Sequence, residues 1–238
     1  MVDAVGAGAE LARRIEVRAA ELIAYQGRAL ARHYLRRVAE VRRVESALVG
    51  DRTELSAAVA RNLYKLMAVK DEYEVARLLL DPAERARIEG LFGAGARVTW
   101  HLHPTILRRL GLPRKARLGP WFRPVLQILR AARRLRGSPL DLFARTGIRA
   151  TERALLGHYE RLIDAVLSSL EASRYRQATA LLDAPDEIRG YDEVKQRSIS
   201  AYLLSVRAQA RALGIEPAQG CALFDELPQD TELRRQTA

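Results

Sequence analysis

The sequence predicts a mainly α-helical, multi-helix protein that opens with a long antiparallel helical hairpin and carries one minor strand region. Three observations lead there. Apolar residues recur at spacings of three and four along most of the chain, residues 9–48 hold no proline, and only one short run alternates polar with apolar in the manner of a strand.

The first helix is read from Leu11, Ile15, Leu22, Tyr25 and Ala29, continued by Leu30, Tyr34, Val38, Val41, Val44 and Leu48. Gly50 and Asp51 end it, and Asp51 followed by Glu54 resembles a cap for a second helix with the stripe Leu55, Val59, Leu63, Leu66 and Tyr73. The short connection predicts an antiparallel hairpin over residues 9–80. Asp81-Pro82 ends the second helix and begins a short third one.

From Gly90 the pattern changes. Gly90, Gly93 and Gly95 punctuate the chain, and the alternation from Arg97 to His103 predicts one small strand region near Val98 to Leu102. Residues 111–120 read as a basic loop, and Trp121, Phe122, Val125, Leu126, Leu129, Ala132 and Leu135 predict a buried helix. A turn is expected from Arg136 to Asp141. Helical periodicity returns at Ala154, Leu155, Leu162, Val166 and Leu170, then at Tyr175, Ala178 and Leu182, and finally at Val194, Ile199, Tyr202, Val206 and Leu213. Residues 1–213 therefore read as a single helical domain, and residues 214–238, with Pro217, Gly220 and Pro228, as a polar, flexible tail.

Composition narrows the function classes. A chain of 238 residues, 48% hydrophobic and 29% charged, can bury a sizeable core and is neither disordered nor a disulfide-dependent mini-protein. It holds no apolar run of bilayer-spanning length, and its first ten residues lack the pattern of a signal peptide, so a cytoplasmic location is expected. The lone Cys221 cannot supply a cluster or a structural zinc site, and no metal or cofactor is expected in this chain. The net charge of +11 is concentrated: residues 101–153 hold 13 basic and two acidic residues, which leaves the rest of the chain neutral. Such a segment suits an acidic partner.

No nucleotide-binding glycine loop, nucleophile elbow or metal-ligand helix motif is present. His101 and His103 share one face of the expected strand, but with no acid or thiol cluster beside them a structural or surface role outweighs metal ligation. His33 and His158, among arginines on helices, read as exposed. Lys70 and Arg77 fall on or beside the apolar stripe, with Glu74 at pairing distance from both, which predicts a partly buried ion-pair network.

The string KLMAVKDEYEVARL, holding Lys65, Lys70, Asp71, Glu72, Tyr73, Glu74 and Arg77, resembles KLMAYKDEYEVARL in the C-terminal region of the long, fused bacterial indolepyruvate ferredoxin oxidoreductases. Ala60-Arg-Asn-Leu63 and Ala24-Tyr-Gln26 are similar to that family's ARN-[LF] and AYQ, and His101-Leu-His-Pro104 and Gly119-Pro-Trp121 to its HLAPP and GPW. RGSPLDLF, with Arg136, Gly137 and Asp141, resembles RGTxLDPF, and Glu152-Arg153 stands where the family has an ER pair. Ile188-Arg189-Gly190-Tyr191 with Val194-Lys195 is similar to IRGYGHVK. The matches run collinearly from Leu11 to Leu213, with departures at Val69, His103, Leu142, Ala144, Ile148 and Asp192.

The resemblance implies a place in thiamine diphosphate-dependent oxidative decarboxylation of aryl 2-oxoacids, with electrons passing through iron-sulfur clusters to ferredoxin and an acyl-CoA formed. The cofactor- and cluster-binding domains of that family have no counterpart in this chain. What it implies here is a non-catalytic helical domain or subunit serving assembly or docking, whose partners are the catalytic domains or subunits and ferredoxin. The motif residues would then serve packing, and Arg108, Arg109, Arg114, Lys115 and Arg117 an electropositive docking face. The alternative is a free-standing basic module that binds nucleic acid.

Overall fold

A computed structural model describes residues 8–102, 116–138, 141, 143, 147–190 and 192–215. The protein is mainly α-helical, as expected, with one small two-stranded sheet among the described residues. Where the sequence reads one domain, the chain divides into two compact units, residues 1–68 with 145–238 and residues 69–144.

The first unit is a helical bundle. Helices α1 (Ala9–Tyr25) and α2 (Arg28–Val49) replace the single long helix expected over residues 9–48. The break falls at Gly27, whose φ of +141° is one that only glycine adopts readily, and the amides of Gln26 and Gly27 both turn back to the Leu22 carbonyl. Residues 50–53 join α2 to α3 (Glu54–Met67), and the two helices pack as the expected hairpin. The unit is completed by α7 (Gly147–Ser168), α8 (Tyr175–Asp183) and α9 (Asp192–Ala212). One core joins them, built from Ile15 and Leu22, Tyr34 and Val38, Val59 and Leu63, Tyr159 and Ile163, Leu181, and Tyr202 and Val206. Helix α9 closes with Gly214 at φ +70°: the Gly214 amide donates to the Arg211 carbonyl at 3.0 Å, and the amide of buried Ile215 to that of Ala210 at 2.9 Å. This double bond pattern is a glycine-dependent helix stop, and it falls where the helical periodicity of the sequence ends.

In the second unit α4 (Glu72–Leu79) is followed by α5 (Pro82–Phe92), which starts at Pro82 with the Asp81 carboxylate accepting the Ala83 amide at 2.8 Å. The expected second arm over residues 55–80 is thus interrupted at residues 68–71. No glycine or proline marks the interruption; Asp71 makes it by capping a new helix. Strand β1 (Trp100–Leu102) is shorter than the expected run and pairs antiparallel with β2 (Ala116–Leu118), inside the stretch read as loop, with Trp100 opposite Leu118 and His101 opposite Arg117. A 3-10 turn at Pro120–Phe122 leads into α6 (Arg123–Ala132), which packs on α4. Helix α6 corrects the expectation of a buried helix: Leu126 is its one buried residue, while Trp121, Val125, Ile128 and Leu135 are exposed. Their stripe faces away from the side that Leu126 buries. Among the described residues, no helix is long and apolar enough to cross a membrane.

Candidate functional site

The motif residues of the second unit meet at the start of α4. Asp71 is the N-cap, its Oδ1 accepting the Glu74 amide at 2.7 Å, and it receives the Arg136 guanidinium through two bonds of 2.6 and 2.8 Å. The same guanidinium lies over the Tyr73 ring, 5.5 Å from its centroid. The Tyr73 hydroxyl donates to Asp141 Oδ1 at 3.0 Å, and the amides of Gly137 and Phe143 donate to the two oxygens of that carboxylate. Phe143 meets Tyr73 edge to face at 5.0 Å. Burial, reinforced by the bond to Asp141, pushes the Tyr73 hydroxyl up to about 12, so it stays a donor throughout the physiological range. The two strings DEYE and RGSPLDLF, more than sixty residues apart, therefore form one closed network. Gly137 sits at φ +77° in the turn the sequence predicts.

Glu74 and Arg77 pair through bonds of 2.6 and 2.9 Å, as their spacing predicts. Lys70, which the sequence reading placed on or beside the apolar stripe in a partly buried setting, is exposed and precedes α4, because the chain between α3 and α4 is not helical. Glu72 is the first residue of α4, where its charge suits the helix dipole.

In the first unit the motif residues secure the segment between α8 and α9. Asn62, fully buried on α3, donates to the Leu182 carbonyl at 3.2 Å and to Asp183 Oδ1 at 2.9 Å, while Arg61 pairs with the same carboxylate. Lys65 Nζ donates to the carbonyls of Pro185 and Asp186, both at 2.9 Å, and so caps the carbonyl end of that turn. Burial, with the Arg189 charge nearby, pushes the Lys65 ammonium below its ordinary range. Arg189 is exposed and pairs with Asp186 at 3.1 Å, and its amide donates to Ser198 Oγ. Farther along, Lys195 reaches buried Glu152 at 2.6 Å, and Arg149 reaches the other oxygen of Glu152 at 2.8 Å. Arg153, beside it in the sequence, points outward.

Gly190 is the hinge of this turn. Its φ is +91°, and a Cβ there would sit 2.5 Å from Val194 Cγ1 and 2.9 Å from Val194 Cβ. Gly190→Ala is expected to cost about 1 to 3 kcal/mol, the range for strained backbone positions. Urea unfolding checks this, and adding Val194→Ala should recover the steric part while leaving the cost of the positive φ.

A buried cluster in the first unit was not foreseen. Glu45, on α2, is fully buried and its carboxylate accepts the amides of Leu55 and Ser56 at 2.8 and 3.2 Å, the Ser56 hydroxyl, and the Tyr175 hydroxyl at 2.6 Å. It caps α3 from a different helix, in place of the expected Asp51 cap; the adjacent Thr53 makes no side-chain cap bond. Arg42 lies 3.7 Å from Glu45 and donates to the Arg52 carbonyl at 2.8 Å. Arg52 covers the Tyr175 ring at 4.2 Å, and its bonds hold the Glu54 carboxyl down to about 2. The sequence did carry a signal, since Glu45 continues the stripe Tyr34, Val38, Val41.

Of the remaining candidates, His101 is exposed on β1, and Arg117 is exposed on β2. His103, Arg108, Arg109, Arg114 and Lys115 lie outside the described residues. Among the described residues no group of three potential ligands is placed to hold a metal ion.

His33 is half-buried against Glu160 at 2.5 Å. His158 corrects the reading of an exposed histidine: it is buried, packed edge to face on Tyr202, because its position on α7 falls between the core residues Leu155 and Leu162. Burial, aided by the Arg161 charge, lowers it from 6.5 to about 4. The unfolded chain then binds the extra proton between those values, so stability should fall as pH drops from about 6.5 to about 4, by at most about 3 kcal/mol. Comparing His158→Phe with the parent chain across that interval isolates this contribution.

Ion-pair and capping networks within each unit define a mainly α-helical protein whose motif residues hold its own segments in place. The chain belongs to a family of unknown function, DUF6537, whose model matches residues 11–208. No curated protein and no solved structure matches it.

Proposed function

We propose that this chain is a non-catalytic helical domain or subunit of a thiamine diphosphate-dependent, indolepyruvate-type 2-oxoacid:ferredoxin oxidoreductase, and that it serves assembly or docking in the cytoplasm. The observation that supports this most is how the motif side chains are used. Asp71, Tyr73, Arg136 and Asp141 bond to one another, and Lys65, Glu152 and Lys195 bond to carbonyls and counter-ions of their own unit. Groups so engaged maintain a shape for another protein to recognise. Thiamine diphosphate and iron-sulfur clusters would reside in the partner domains or subunits.

Co-purification from the native source tests the reading. Recovery with a polypeptide carrying thiamine diphosphate and iron is the expected result, and recovery without either overturns it. Turnover of an aryl 2-oxoacid by the isolated chain would also overturn it. A salt-dependent gel shift with nucleic acid would favour the alternative of a basic binding module.

A further inference from the structure

Helix α2 holds six arginines and two acids, Glu40 and Glu45. Both acids are committed: Glu45 points inward to cap α3, and Glu40 pairs with Arg37 at 2.5 Å. Arg42 turns to the carbonyls of the connection to α3. Arg28, Arg32, Arg36 and Arg43 remain exposed, and among the described residues none of the four makes an ion pair or a side-chain hydrogen bond. At 100° per residue they fall within about 80° of one another and form a single row about 22 Å long, with about 6 Å from Arg28 to Arg32 and again to Arg36. The other residues of that face, Ala39 and Ser46, are small and allow close approach. Like charges one turn apart repel and work against the helix. Nothing within the described fold relieves that repulsion, so the row points to a counter-charge supplied from outside.

The surroundings of the row specify its occupant. On the edge nearest α7 it is bordered by the carboxylates of Glu40, Glu160 and Asp164, which Arg37 and His33 hold there. A broad sheet of negative charge, whether a membrane or a nucleic-acid backbone, would meet those carboxylates along with the arginines and be repelled. A membrane would also need apolar side chains to insert, and α2 exposes no large one. A partner helix with a carboxylate once per turn repeats the spacing of about 6 Å and is narrow enough to lie on the row alone. We propose that the arginine row of α2 docks such an acidic helix of a protein partner, the charge row steering its approach and fixing its register. The inference rests on the docking reading above and names the surface and the chemistry of what it takes.

The test uses the full chain and a fluorescent alanine-based helical peptide of about three heptads carrying glutamate once per turn on one face, compared with a peptide of the same composition whose glutamates are spread round the helix. Stopped-flow anisotropy should show faster association of the aligned peptide, slowing as salt rises, and a loss in rate on the order of tenfold in the double variant Arg32→Glu with Arg36→Glu. Both positions are exposed, and circular dichroism checks that the variant is folded. Arg123→Glu with Arg130→Glu on α6 makes the same change of charge at exposed positions of the other unit and should have the smaller effect. Equal association of the two peptides, binding of neither, or equal slowing by the two double variants overturns the proposal. It is equally overturned if Arg32→Glu with Arg36→Glu abolishes binding to duplex DNA or to phosphatidylserine vesicles. The measurement involves no oxidoreductase, so its failure is distinct from failure of the co-purification.

Discussion

Glu45→Ala is expected to destabilise the first unit by about 3 to 5 kcal/mol, the range for removing one partner of a buried charged pair. The substitution leaves the Ser56 amide without its acceptor at the start of α3 and the Leu55 amide with only the longer bond to the Tyr175 hydroxyl at 3.3 Å, takes from that hydroxyl one of its two carboxylate acceptors, the other being Glu54 at 2.9 Å, and leaves the Arg42 guanidinium, 3.7 Å away, without the Glu45 carboxylate. Glu45→Gln keeps the shape but brings an NH₂ group that cannot accept, so its cost should be intermediate. Tyr175→Phe should cost less than either, because the two amides keep their acceptor. The measurement is a shift in the urea midpoint at unchanged slope. A loss below about 1 kcal/mol in Glu45→Ala would mean that α3 does not depend on this cap.

In the second unit the largest expected effect follows Arg136→Ala, at about 3 kcal/mol or more. Asp71 would remain buried without the guanidinium that pairs with it, while the Glu74 amide still donates to it, and Tyr73 would lose the cation over its ring. Arg136→Lys should recover little, since a single ammonium cannot reproduce the two parallel bonds. Replacing both members of the pair, Asp71→Leu with Arg136→Met, should cost less than the sum of the single substitutions, because no unpaired charge is left behind. Hydrogen exchange over residues 71–79 reads the effect directly: faster exchange confined to this unit is the expected result, and unchanged exchange would show that the Asp71 to Arg136 bridge does not hold α4.

Much of this was legible in the sequence. The hairpin of α2 and α3, the Asp81-Pro82 start of α5 and the end of α9 near Leu213 all follow from local rules of periodicity, capping and chain breaking. The Glu74 to Arg77 pair follows from helix geometry alone. The break before α4 was not legible. Asp71-Glu-Tyr-Glu74 carries the local pattern of a cap, with the Asp71 carboxylate accepting the Glu74 amide, but the apolar stripe continues in register from Leu66 to Tyr73 across the break and conceals it, and the Arg136 bridge that also holds Asp71 comes from far along the chain. Strand β2 was hidden for a similar reason: three residues in a basic stretch extend because β1 offers them a ladder, and the one side chain there that signals burial is Leu118.

The sequence by itself determined that this protein is helical, where most of its helices stop, and that its positive charge is concentrated in one segment, because these properties depend on residue type and near-neighbour spacing. Tertiary structure alone decided what the charged motif residues are for. A carboxylate or a guanidinium at a given position can catalyse, bind a partner or brace the fold, and which it does depends on what stands within about 3 Å of it. Here Asp71 finds Arg136, Glu45 finds the amides that open α3, and Lys65 finds the carbonyls after α8. The tertiary structure also decided that the apolar seam of α6 faces outward. Amphipathic periodicity counts apolar positions, but it cannot say on which side of a helix a neighbour will be.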